Sequence, residues 1–269
     1  MCSMSRAAAL VFLACLSAAP AATADETRSA IAIRGKTFTL YWSGPAGGEP
    51  VVVLSGDGGW VHLGPQAADL LARRGYRVAG FDSKAYLSQF TERGKTLTEA
   101  DVPRDLKIVI DAVSRDGRKP ILVGVSLGAG LAVLAASDAA VKASIRGILG
   151  LGLGDENELG WRFRDTIIYL TKGMPNEPTF KVTDHVHKLT PLPLAAIHST
   201  RDEFVPMHEI TQVMAVAREP KRLWTVTASD HRFSDNQKDF QARLAEALAW
   251  IVEAAPPPPP APSPRQRRR

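Results

Sequence analysis

The chain has 269 residues, 45% hydrophobic and 23% charged, which suits one globular domain, or at most two small ones, with a substantial core. No internal repeat is visible, and no apolar run reaches the length of a membrane-spanning helix. The formal charge is +5, but Arg6 and the terminal Arg265, Arg267, Arg268 and Arg269 supply all of it, so the part between is near neutral and offers no footprint for nucleic acid.

The first residues read as a secretory signal peptide spanning 1–24. Arg6 gives a positive start, "AAALVFLACLSAA" is apolar, and "ATA" precedes the acidic Asp25 and Glu26, so cleavage is expected after Ala24. Cys15 raises a lipid-anchored alternative, although Phe12 suits a lipidation site poorly. Cys2 and Cys15 are the two cysteines, so the exported chain is expected to lack thiols and disulfides and to reside in a periplasm-like compartment.

Strand-like and helix-like segments then alternate over residues 25–253. Strands are expected at Thr37–Trp42 and at Pro50–Ser55, the latter a continuous apolar run that suits a strand covered on both faces. A helix follows in "QAADLLARRGY", closing at Gly75, then a strand at Tyr76–Phe81. Val102, Leu106, Val109, Ile110 and Val113 fall on one face of a helix, with Thr98 as its expected N-cap. Strands are expected at Pro120–Val125, Ile145–Leu153, Leu192–Ser199 and "RLWTVT". Helices are expected in "LGAGLAVLAAS", near His208–Ala217, and over the closing "NQKDFQARLAEALAWIVEA", whose Phe240, Leu244, Leu248 and Ile251 share a face.

This order implies a mostly parallel central sheet with helices on both faces. Ligands of such sheets sit beyond the carboxyl ends of the strands, so the loops after Leu54, Phe81, Val125, Leu153, His198 and Val226 are where chemistry is sought. Residues 254–269, "AAPPPPPAPSPRQRRR" after the last turn of helix, form a proline-rich basic tail, either a solvated linker or a contact with an anionic membrane surface. Residues 155–190 lack clean periodicity and are expected as a lid insertion.

One of those loops carries Gly124-Val125-Ser126-Leu127-Gly128 between a strand and a small-residue helix. A tight strand–helix turn of this kind exposes a serine hydroxyl at the sheet edge, and glycines remove the side chains that would clash there. A serine hydroxyl needs a base, and the base an orienting carboxylate. Asp202 follows one expected strand and His231 the next, in the chain order Ser, Asp, His; Glu203 and Asp230 are the substitute acids. The oxyanion of an acyl-transfer intermediate needs amide donors, expected from Leu127 and from Asp57 or Gly58 in the loop "SGDGGW". No metal cluster, dinucleotide fingerprint or phosphate loop is present in the sequence, so no cofactor and no metal are expected.

"SGDGGW", "FDSKAYLSQF", "TERGKTLTEADVPRDLKIVI", "VGVSLGAG" and "DHRFSD" together resemble the VirJ/AcvB family of bacterial virulence-associated exported α/β-hydrolases, over most of residues 50–250. The family usually has aromatic residues flanking the serine and Ala-Asp after the second glycine; here Val125, Leu127 and Ala129-Gly130 stand instead. The resemblance implies an α/β-hydrolase fold and removal of the aminoacyl group from lysyl-phosphatidylglycerol, with Ser126 attacking the ester. On that reading Asp57, Asp155, Glu156 and Glu158 are the carboxylates that would receive the substrate's ammonium groups. The competing expectations are a general carboxylesterase resembling dienelactone hydrolases, and a non-catalytic periplasmic accessory of a secretion system.

Overall fold

The computed structural model describes residues 27–92, 94–114, 116–162 and 177–256. The expected leader, most of the basic tail and the middle of the expected lid lie outside these residues. In chain order the elements are β1 (Thr27–Ile33), β2 (Lys36–Ser43), β3 (Pro50–Leu54), α1 (Leu63–Arg73), β4 (Arg77–Phe81), α2 (Ser83–Phe90), α3 (Asp101–Val113) and β5 (Ile121–Val125). They continue with α4 (Leu127–Ala136), α5 (Ala139–Ser144), β6 (Gly147–Leu151), β7 (Glu156–Glu158), β8 (Thr179–Lys181), β9 (Leu194–Ser199), α6 (Met207–Val216), β10 (Lys221–Val226) and α7 (Gln237–Ala254).

The main sheet has eight strands in the order β1-β2-β4-β3-β5-β6-β9-β10. β2 runs antiparallel to both β1 and β4, and the strands from β4 to β10 are parallel. The pairing of Leu54 with Gly124, Val125 with Leu151 and Leu151 with Ile197 brings the carboxyl ends of the central strands to one edge. Loops from separate parts of the sequence therefore meet there.

The apolar run of β3 has a direct structural reason. Val51 and Val53 pack into a core under α1 and α7, whereas Val52 and Leu54 pack into a second core with α3 and α4. Successive side chains of a strand point to opposite faces, so a strand covered on both sides must be apolar throughout. α4 is buried along its whole length, and its small residues let it press against β5: a Cβ on Gly124 would overlap the backbone of Ala129. α7 covers the other face with Phe240, Leu244, Leu248 and Ile251, each burial stabilising by about 1.5–3 kcal/mol.

Several elements were not signalled by periodicity. β1 is an edge strand with five of its seven residues exposed, and α2 is a short helix whose buried residues are Ser83, Tyr86 and Leu87. α3 starts at Asp101 and not at the residue after Thr98. Asp101 turns its carboxylate back to accept from the amide and hydroxyl of Thr98, at 2.9 and 2.7 Å. The first helix begins at Leu63, earlier than its sequence periodicity suggests.

Leu244→Ala, at a fully buried position on α7, is expected to cost about 2–5 kcal/mol, whereas Val216→Ala at a solvent-facing position should stay within about 0.5 kcal/mol. Urea unfolding midpoints of the two variants check this.

Candidate active site

Ser126 sits between β5 and α4 with φ 50° and ψ −118°, a left-handed φ that costs a non-glycine residue about 1–3 kcal/mol. The surrounding hydrogen bonds hold it there. Its amide donates to the Leu151 carbonyl at 2.8 Å, and its carbonyl accepts from Ala129 at 2.8 Å. Gly128 lets α4 approach β3, because a Cβ there would overlap the carbonyl oxygens of Leu54 and Ser55. The result is a serine at the start of a helix, half-buried at the sheet edge.

Asp202 and His231 come from the loops after β9 and β10 and meet directly. His231 Nδ1 lies 2.6 Å from Asp202 Oδ2, and the Asp202 side chain is fully buried. The imidazole lies on Gly152, where any side chain would overlap the ring at Cε1. Gly152 directly follows Leu151, whose carbonyl holds Ser126, so the serine and the imidazole are both neighbours of the Leu151–Gly152 step. The Nε2 of His231 is buried and makes no hydrogen bond among the described residues.

The electrostatics of Asp202 follow from its partners. Burial pushes its carboxyl up, but the hydrogen bond and charge of His231, with the Val205 and Phe204 amides at 2.8 and 2.9 Å, outweigh burial and leave it below the usual range. It therefore stands ionised against the imidazole. His198, fully buried behind it, is pushed down by burial, partly offset by the Val205 carbonyl and the Asp202 charge. Its Nε2 lies 2.8 Å from the Val205 carbonyl, which can only accept, so that nitrogen carries the proton. His198 thus fastens the 202–205 turn to β9.

The two substitute acids have other partners. Glu203 Oε2 accepts the backbone amide of His231 at 2.7 Å, and Asp230 Oδ1 accepts the amides of Arg232 and Ser234. Glu203 was legible as a neighbour of Asp202 but not as a second clamp on the histidine, because a contact to a backbone amide leaves no trace in side-chain patterning.

The loop after β3 approaches the serine through Gly56, where a Cβ would lie 3.6 Å from Ser126 Cβ. Asp57 follows that glycine directly, so its amide is the better placed of the two loop donors. Gly58 is exposed, and a Cβ there would meet Val61 and not the serine. Leu127 occupies the first position of α4.

The acidic set beyond the serine is less concentrated than its sequence suggested. Both Asp155 oxygens are engaged by Thr183, amide at 2.9 Å and hydroxyl at 3.3 Å. Glu156 accepts from the Thr179 hydroxyl at 3.0 Å across the antiparallel β7–β8 pair, and Glu158 is half-buried on the same strand. These contacts make Asp155 and Glu156 ties of the β7–β8 hairpin and leave Asp57 as the expected carboxylate beside Ser126. Gly130, standing where the resembling family usually has Asp, is faced by the buried Asn157 of β7, whose side chain any Cβ at that position would overlap. Among the described residues no group of His, Cys, Asp and Glu is arranged to hold a metal ion.

Solved structures share this architecture. The chain is similar to the esterase domain of a Rhodothermus marinus protein, with 19% identity and a TM-score of 0.58 over 85% of this chain and 99% of that one. It is similar to Est1E from Butyrivibrio proteoclasticus, with 16% identity and a TM-score of 0.61 over 84% and 99%. A membrane phospholipase A described as a bacterial virulence factor aligns at 11% identity and a TM-score of 0.61 over 84% and 86%. No curated protein matches the chain.

If Glu203 clamps the His231 amide, hydrogen exchange at that amide should rise about tenfold in Glu203→Ala, equivalent to roughly 1.4 kcal/mol, and by less in Glu203→Gln, which keeps an acceptor oxygen. Exchange measured by NMR checks it.

Residues 49–249 match the family described as bacterial virulence protein (VirJ), and with the strand order and serine turn of the α/β-hydrolase fold in place, the chain belongs to that family.

Proposed function

We propose that the protein is an exported serine hydrolase that cleaves carboxylic esters through Ser126, His231 and Asp202. The observation that carries this is the buried Asp202–His231 pair, at 2.6 Å, with the imidazole and the strained Ser126 both against the Leu151–Gly152 step.

On this reading, Ser126 Oγ attacks the ester carbonyl carbon and its proton passes to His231 Nε2. The Leu127 and Asp57 amides receive the oxyanion. The C–O bond to the alcohol breaks, the alcohol takes the proton from His231, and an acyl-enzyme remains. Water then attacks that acyl group, giving its proton to His231; the bond from the acyl carbon to Ser126 Oγ breaks, Oγ takes that proton back from His231, and the acid departs. Asp202 stays ionised throughout and balances the imidazolium.

The substrate we favour is the aminoacyl ester of lysyl-phosphatidylglycerol. Family membership supports it, as does the rim of the site: Phe204, in edge contact with His231, and Val61, beside the Gly58 loop, are each 47% exposed. Exposed apolar side chains at a site mouth suit a substrate presented by lipid. Asp57 is then the carboxylate for the ammonium group. A smaller soluble ester is the second reading, favoured by the engagement of Asp155 and Glu156 within the hairpin.

Ser126→Ala is expected to lower turnover by about three orders of magnitude or more with an unchanged fold, and to abolish labelling by a fluorophosphonate. Asp202→Asn should cost about 10⁴ in kcat by favouring the wrong tautomer. Turnover of lysyl-phosphatidylglycerol vesicles against short acyl esters separates the two substrates. Full turnover by Ser126→Ala would reject the mechanism.

A further inference from the structure

The opposite end of the sheet carries a concavity. A cavity of about 700 Å³ opens among Glu49, Arg118, Lys119, Lys142 and Arg146, with an apolar floor of Ile145, Leu192 and Val252. Glu49 precedes β3, Lys119 precedes β5, Arg146 precedes β6 and Leu192 precedes β9. The parallel strands therefore put this cavity at their amino ends, away from Ser126, Asp202 and His231, which follow carboxyl ends.

Its charge is unbalanced. Lys142 Nζ donates to the carbonyls of Lys188 and Thr190, at 2.6 and 3.3 Å, and Arg146 donates to the Val252 carbonyl at 3.3 Å. Carbonyl oxygens orient these cations without neutralising them. Glu49 lies 3.5 Å from Arg118 and 3.9 Å from Arg146, and Asp116 lies 3.7 Å from Arg118. Four cations thus face two carboxylates, both more than half exposed, over a floor in which Ile145 and Leu192 are buried. The sequence that continues from Pro256 carries arginines of the same sign, so it is an electrostatically poor occupant.

We infer that this cavity is a binding site for an anionic amphiphile, a carboxylate or phosphate head on an apolar body. A concave, mostly apolar lining with a few convergent charges is how such ligands are held, and the volume falls within the roughly 300–1,000 Å³ of small-molecule sites. The head meets Lys119, Lys142 and Arg146, and the body covers Ile145 and Leu192. The inference goes beyond the ester-hydrolase reading and does not depend on it.

The test is calorimetric titration of the protein with decanoate, against decanol and inorganic phosphate, together with flotation on phosphatidylglycerol and phosphatidylcholine vesicles. Two variants at exposed lining positions probe the site: Lys119→Glu reverses a charge, and Ala143→Trp fills the space. Tighter binding of decanoate than of either comparator, weakened at least tenfold by each variant, is the expected result for a free ligand. Retention on phosphatidylglycerol vesicles alone, lost in each variant, assigns the head to a lipid. Neither form of binding, or binding that either variant leaves unchanged, overturns the inference. Matching thermal midpoints establish that both variants fold, and ester hydrolysis measured alongside keeps the outcome separate from that of the serine site.

Discussion

The contact on which the site depends is the short hydrogen bond between the buried Asp202 carboxylate and the His231 ring. A carboxylate with no exposed side-chain surface is costly unless it is paired and hydrogen-bonded. Here the imidazole and two amides of its own turn supply that compensation, which is why its pKa ends low despite burial. Remove the histidine and the 202–205 turn holds its buried charge with the two amides alone; remove the carboxylate and Nδ1 loses the partner that fixes the ring's tautomer. His198 and Glu203 extend the same arrangement on either side, one fixing the turn to β9 and the other fixing the histidine's backbone.

The sheet makes this convergence possible. Its central strands are paired so that the serine turn, the acid loop and the histidine loop all leave one edge, although more than a hundred residues separate Ser126 from His231 in the chain. Two cores, one on each face, hold the strands in place. The strained backbone at Ser126 is tolerable because α4 is buried along its length and cannot shift to relax it.

Legibility in the sequence followed the physics of each part. The β3 run, the α3 face and the Gly-x-Ser-x-Gly turn announce themselves because burial and tight turns constrain residue type locally. The chain order Ser126, Asp202, His231 was readable for the same reason, since each lies just past an apolar strand. β1, α2 and the β7–β8 hairpin were not readable. An edge strand needs only one apolar face, and a three-residue strand is too short for any period to show. The roles of Asp155 and Glu156 were hidden as well, because their partners Thr183 and Thr179 lie more than twenty residues further along and no local pattern links them. Gly152 is one of several small residues in β6 and its loop and carries no local signal of its role, yet it seats the histidine.

The way the hairpin is tied has a consequence for how this scaffold can diverge. Leu159 donates to the Pro178 carbonyl at 2.7 Å, Glu158 pairs with Thr179, and Arg162 is ion-paired with Glu177. The chain is therefore pinned to itself on both sides of residues 163–176, close to where it leaves and returns. Because these ties lie within residues 155–162 and 177–183, the pairing of β7 with β8 depends on contacts among those residues, and substitutions there decide whether the hairpin persists as the scaffold diverges.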